Sequence, residues 1–315
     1  MRKAALIYNP ASGTRRNRRL ADVERAAQVL RRSGVEAALV PTRAASSAGE
    51  QAREAAASGC DAILACGGDG TVHDVLQGLV GFSGEVALGV VPLGTGNALA
   101  CDLGVPRDPA AAASALLTAT PRRVAAGRIE YCDRSTAETR SRYFLVMAGV
   151  GADAQMLYRM NLGLKARFGM AAYYAEGTRM YALHRLQPFE VEFPHDGRTT
   201  TVCQLMAVRV SQFGGVLRAL APDAGLQRDD LQFILFKTRS RFLYVLFLAR
   251  GFAGRRWRVP GIELAHGKEV TCRSLAPPAG AATRIYAEAD GELLGELPVR
   301  ISMVPDAISL LFPQK

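Results

Sequence analysis

Three observations predict a two-part fold: an α/β domain with a doubly wound parallel sheet, then a mostly β sandwich domain. First, short apolar runs at 4–8, 35–40, 62–65 and 86–91 alternate with helical patterns over the opening third of the 315-residue chain. Runs of that length suit strands buried on both faces, and the alternation is the right-handed βαβ arrangement. Second, three of these runs end in glycines and small polar residues, where an open α/β sheet places a ligand. Third, the pattern changes near residue 122. Apolar runs at 124–131, 142–150, 189–193, 199–210 and 231–236 follow, broken by one helical pattern at 171–186. A β-sandwich buries such strands. The expected domains are therefore 1–122 and 123–304, and the apolar run at 307–312 is left unassigned by pattern alone.

The helices justify the first domain in order. Leu20, Val23, Ala27 and Leu30 recur at helical spacing until Ser33-Gly34 stops them. An amphipathic pattern at 48–57 ends at Gly59, and another at 72–79 follows the third strand. A short one at 98–103 ends before Gly104 and Pro106, and an alanine-rich one at 109–119 ends at Thr120-Pro121.

The strand ends carry the chemistry. The run at 62–65 opens into Gly67, Gly68, Asp69, Gly70 and Thr71. Glycine lets a backbone turn sharply and a bulky anion approach, and N–H groups at such a turn and the next helix start attract phosphate. Asp69 could hold a metal or take a proton, so the loop suggests nucleotide chemistry. After the run at 86–91 comes Pro92-Leu93-Gly94-Thr95-Gly96-Asn97, and after 4–8 comes Asn9-Pro10-Ala11-Ser12-Gly13-Thr14. Neither a P-loop nor a G-x-G-x-x-G fingerprint is present.

Composition narrows the classes. Apolar residues make up 49% of the chain, which suits a globular protein. No run of about 18 apolar residues suggests a membrane span. The six cysteines form no C-x-x-C pair and sit mostly in apolar runs, which favours buried thiols and a cytoplasmic setting. A net charge of +10 fits an acidic membrane surface or an arginine-rich composition, and no nucleic-acid module is evident. The stretch 242–258 runs from apolar helix to Arg255-Arg256-Trp257-Arg258, the composition of an interfacial membrane contact or of a helix packed on a sheet.

Asn9-Pro10 with Ser12-Gly13, then Gly67-Gly68-Asp69-Gly70-Thr71, then Pro92 to Asn97 resembles the diacylglycerol kinase catalytic-domain family, which includes bacterial lipid kinases, sphingosine kinases and ceramide kinases. Gly-Gly-Asp-Gly alone is shared with NAD kinases and phosphofructokinases. The resemblance implies a lipid kinase using ATP and Mg²⁺ on a membrane lipid such as diacylglycerol, with transient contact at the membrane surface. An edge strand of the β domain leaves a homodimer open. The family's architecture returns 305–315 to the first domain. It gives Asn9, Thr42, Gly67, Gly68, Asp69, Gly70, Thr71, Gly94, Thr95, Gly96 and Asn97 to the nucleotide, with Asp69 also catalytic in organising metal or water. Where many members follow the asparagine with an aspartate, this chain has Ala98.

In the second half, the stretch from Phe213-Gly214-Gly215-Val216 to Leu231 is similar to a family segment that holds magnesium. The matching ligands are the carbonyls of Leu226 and Leu231 and the side chain of Asp229. This chain has Asp230 where the family has glycine, so a surface turn rich in acids is the other reading. Asp290-Gly291-Glu292 resembles the family's Asp-Gly-Glu, with Glu292 as general base and Asp290 as a second acid orienting water or metal. By itself Asp-Gly-Glu is also a common hairpin turn. An NAD kinase-like enzyme, or a non-catalytic lipid- or nucleotide-binding regulator, are the alternative functions.

Overall fold

Four parallel strands build the first sheet: β1 (Lys3–Tyr8), β2 (Glu36–Pro41), β3 (Ala62–Gly67) and β4 (Ala87–Pro92), in the order β4-β3-β1-β2. Every residue of β3 and β4 is buried, as a parallel sheet covered on both faces requires. In the computed structural model, residues 1–11, 16–159, 186–212, 220–275 and 284–314 are described. The sheet belongs to a unit comprising Met1–Ala125 and Pro305–Lys315. Its helices are α1 (Arg16–Arg32), α2 (Ala48–Ala57), α3 (Asp69–Leu79), α4 (Ala98–Leu103) and α5 (Pro109–Leu117). Helix α1 packs on α5, and α2 on α3. The second pair meets backbone to backbone, because a side chain at Gly49 or Gly78 would run into the facing helix. Asp108 caps α5 by accepting the Ala111 N–H at 3.0 Å.

From β1 the chain moves outward to β2, then returns past β1 to β3 and β4. The order therefore reverses between β1 and β3, the switch point at which ligands bind in open α/β sheets. The last part of β15 (Glu292–Phe312) adds a parallel strand beside β4, pairing Ser309 with Ala87.

The second unit, Ala126–Val304, is mostly β. It contains most of β5 (Thr120–Cys132), then β6 (Thr139–Phe144), β7 (Met147–Gly151), α6 (Ala152–Arg159), β8 (Phe189–Phe193), β9 (Arg198–Val202), β10 (Gln204–Val208) and β11 (Leu231–Phe236). Helix α7 (Arg241–Ala253), β12 (Ile262–Gly267), β13 (Glu269–Ser274), β14 (Tyr286–Ala289) and the first part of β15 complete it. Antiparallel pairing runs β12-β11-β10-β7-β14-β15, and β13, β8 and β9 continue from β15. Alternate residues of these strands, among them Ile129, Phe144, Phe189, Phe233 and Ile301, fill one core. Strand β11 is buried on both sides. Leu231, Phe233 and Leu235 enter that core, while Ile234 and Phe236 meet Tyr244 and Phe247 of α7.

The α/β and mostly β classes are as the sequence predicts, with local differences. The run expected at 142–150 is two strands, because the backbone at Leu145 and Val146 turns to the Asp290 carboxylate. That expected at 199–210 breaks at Cys203, whose N–H goes to the Phe236 carbonyl at 2.8 Å. Helix α3 begins at Asp69, earlier than the apolar period suggests. The helical pattern at 171–186, apart from its last residue, lies outside the described residues, as do Ser12-Gly13 and the stretch 213–216. All six cysteines are free thiols.

Candidate active site

Gly68 is the N-cap residue of α3, in extended backbone, so Asp69, Gly70 and Thr71 form the helix's first turn rather than a loop. The glycines are required by what lies against them. A side chain on Gly67 would collide with Thr71, and one on Gly94 would collide with the Gly68 backbone. The two glycine segments are therefore stacked at the carboxyl ends of β3 and β4, and the Leu93 N–H donates to the Gly67 carbonyl at 2.9 Å.

Asp69 joins the two segments. Its Oδ1 accepts the Ala98 N–H at 2.7 Å, satisfying one of the donors that open α4. Its Oδ2 lies against Gly96, where a Cβ would stand 2.9 Å away. Asn97 closes the second segment on itself. It sits in the left-handed region (φ 52°), accepts the Gly94 N–H at 2.9 Å and donates to the Gly94 carbonyl at 2.7 Å. Its side chain is buried and shapes the turn.

Around the switch point, Asn9 Oδ1 accepts the Ala11 N–H at 2.9 Å, and the Thr42 N–H donates to the Tyr8 carbonyl at 2.9 Å. Gln51 holds the Thr42 segment by accepting the Arg43 N–H and donating to the Pro41 carbonyl. Arg19 supports the second glycine segment, donating to the Leu93 carbonyl at 2.8 Å. It is 3% exposed, and burial draws its guanidinium below the usual arginine range. Both supports escape a motif search. Arg19 does fall on the apolar stripe of α1 with Val23, Ala26 and Leu30, and that is the signal that could have found it.

In the second unit, Asp290 and Gly291 are the two residues of the turn between β14 and β15, with φ of 49° and 84°. Paired positive φ values are why Asp-Gly suits this hairpin. Asp290 anchors the turn: its carboxylate accepts the N–H groups of Leu145 (3.1 Å), Val146 (2.9 Å) and Met147 (3.0 Å). These bonds engage both oxygens and give Asp290 a structural role in the turn. Glu292, the first residue after the turn, is exposed.

Behind this turn stands Glu288, which the sequence analysis does not single out. It is 1% exposed and accepts the Gly291 N–H at 2.9 Å, while its other oxygen lies over Gly149 beside Asp153. Burial, then the Asp153 charge, push its carboxyl well above the ordinary range, against the pull of the Gly291 N–H. Ala287 and Ala289 face the core, so alternation puts Glu288 on the side of Tyr286 and is the signal for it.

The segment matched to magnesium is built differently. Arg209, fully buried, donates to the carbonyls of Leu226 (2.9 Å), Arg228 (2.6 Å) and Asp230 (3.2 Å). Its guanidinium, drawn down to about 10 by burial against the charges of Asp230 and Asp229, is the cation that this turn encloses. Asp230 is engaged by Arg228 at 2.6 and 2.7 Å and by His266 at 3.2 Å. Asp229 is exposed. The Leu226 carbonyl already accepts from a cationic donor, so the expected set of Leu226, Asp229 and Leu231 does not fit a magnesium ion. Among the described residues no cluster of three or more His, Cys, Asp or Glu side chains suits a metal.

Stacked glycine segments at a parallel sheet's switch point, with a separate β unit, define the class. A diacylglycerol kinase catalytic domain is matched over residues 3–129, and a YegS C-terminal NAD kinase beta sandwich-like domain over residues 145–312. A diacylglycerol kinase of Bacillus subtilis is 33% identical over 256 residues, 79% of each chain. One of Staphylococcus aureus is 27% identical over 315 residues, 99% of this chain and 93% of that one. Among solved structures, a diacylglycerol kinase of Bacillus anthracis has the same fold (TM-score 0.75, 20% identity, covering 98% of this chain and 96% of the other). Yeast NADH kinase, crystallised with NADH, shares it more distantly (TM-score 0.52, 9% identity, 100% and 84% covered). The protein is a lipid kinase. It belongs to the diacylglycerol kinase family.

Proposed function

We propose that this chain transfers the γ-phosphoryl group of ATP to the hydroxyl of diacylglycerol, giving phosphatidic acid. The observation that carries the reading is the stacking of Gly68 on Gly94 at the head of α3. It leaves two stretches of backbone bare of side chains beside a helix N-terminus, the arrangement that accepts a phosphate chain. Gly67, Gly68, Gly70, Thr71, Gly94, Thr95 and Gly96 are assigned to the phosphates, and Asn9 and Thr42 to the remainder of the nucleotide. Asp69 and Asn97 act by fixing the two segments. The names of the Bacillus and Staphylococcus relatives support diacylglycerol as the acceptor.

The transfer forms a bond between the acceptor oxygen and the γ-phosphorus and breaks the bond to ADP. A lipid hydroxyl holds its proton tightly, so a carboxylate must accept it as the bond forms. Glu292 is assigned that role, on a turn that Asp290 and Glu288 make rigid. Magnesium brought by the nucleotide would offset the charge of the transferring group.

The test is transfer of labelled phosphate from ATP to a panel of lipids in mixed micelles. Label in phosphatidic acid is expected. Label in another lipid would replace the acceptor, and label in NAD, included as a control, would overturn the lipid reading.

A further inference from the structure

Helix α7 has two apolar faces, one packed on the sheet and the other largely exposed. Tyr244 and Phe247 pack on Phe236, the first stacked at 4.6 Å and the second edge-on at 5.4 Å. The opposite face carries Phe242, Val245, Ala249 and Phe252, spaced to form one stripe along the helix. Phe242 is 72% exposed, Val245 58% and Phe252 51%, and Trp257 just beyond the helix is 38% exposed. Four of the seven exposed large apolar residues among the described residues thus lie within 16 positions. Elsewhere such residues stand singly, which is ordinary; a cluster marks an interaction surface.

Charge selects the occupant. From Lys237 to Ile262 the chain has seven basic side chains and no acidic one. Arg241 is exposed at the start of α7, and Arg255, Arg256 and Arg258 are exposed beyond its end around Trp257. Arg256 lies 3.6 Å from Asp223, an acidic group itself half exposed. An apolar stripe with arginines at both ends and a tryptophan at one is built to sink shallowly into a bilayer while the cations meet lipid phosphates. A second copy of the chain would place like charges against each other.

We propose that the outward face of α7, with the turn at 254–258, docks the enzyme on an anionic lipid bilayer. The surface is distinct from the residues assigned to phosphoryl transfer, and it stands whichever lipid is the acceptor.

The test is co-sedimentation of the full chain with vesicles of phosphatidylcholine alone and of phosphatidylcholine with phosphatidylglycerol. Wild type should pellet with the anionic vesicles, less so at high salt. Replacing Phe242, Val245 and Phe252 together by serine should lower partitioning about tenfold or more. Phosphorylation of a short-chain, monomeric diacylglycerol should be unchanged in that variant, which separates docking from catalysis. Equal pelleting of variant and wild type, or wild type indifferent to anionic lipid, would overturn the proposal. So would a wild-type dimer that the triple substitution makes monomeric, since the face would then belong to a second copy.

Discussion

The two units differ in what chiefly shapes their turns. In the first, the glycine segments after β3 and β4 are shaped by absence: Gly94 lies on Gly68 because neither carries a side chain. In the second, the turns at 226–230 and 290–292 are shaped by buried charge, Arg209 in one and Asp290 with Glu288 in the other. A turn made by missing atoms is legible locally. The turn at 226–230, made by a charge outside it, is not, because Arg209 lies well before it in sequence.

That contrast can be broken most forcefully at Arg209. Arg209→Ala strips a buried cation from three carbonyls, that of Leu226 buried and the other two partly so, and should cost about 3–5 kcal/mol, read as a fall in Tm. Nucleotide-free wild type should melt at the same temperature with Mg²⁺ as with EDTA. A magnesium-dependent rise that Asp229→Asn removes would restore the metal to this turn.

In the first unit the comparable substitution is Gly94→Ala, which forces two backbones apart for about 2–3 kcal/mol. ATP affinity, followed by titration, should fall at least tenfold. Gly225→Ala is the control: its new methyl would meet nothing closer than Arg228 at 3.9 Å, so stability and nucleotide affinity should both stay unchanged.

A smaller loss, about 1–2 kcal/mol by denaturant unfolding, is expected for Asp290→Asn, which keeps one acceptor oxygen where three N–H groups converge. No loss at all would mean that Asp290 does not fix the turn.

Glu288→Gln is the mildest change, and its sign depends on pH. The fold raises the Glu288 pKa, so this group's contribution is full below the unfolded value near 4.3 and is lost as pH rises toward the folded value. Wild type and variant should match near pH 4, and the variant should gain relative stability as the pH climbs. A constant difference across pH would show that Glu288 is ionised in the fold.

These cases explain what the sequence reveals. β11 and α4 are legible to the residue because apolar runs and glycine stops are local signals. The splits at 145–146 and at Cys203 are not, since each depends on a partner supplied by a remote part of the chain. The glycine segments are legible as a site, but Asp69 and Asn97 carry loop-fixing bonds that no motif announces. Residues 226–231 show the limit most clearly. Their pattern matches a metal turn, and the decisive residue, Arg209, sits just past the end of β10, 17 residues before Leu226.

The central claim is that a carboxylate on the β14–β15 hairpin accepts the proton of the lipid hydroxyl. Its most direct test is the turnover of Glu292→Ala with ATP affinity measured on the same protein. Turnover lowered about 10²–10⁴-fold with ATP affinity intact is the result this account predicts. Turnover at the wild-type rate would remove Glu292 from the mechanism and contradict it.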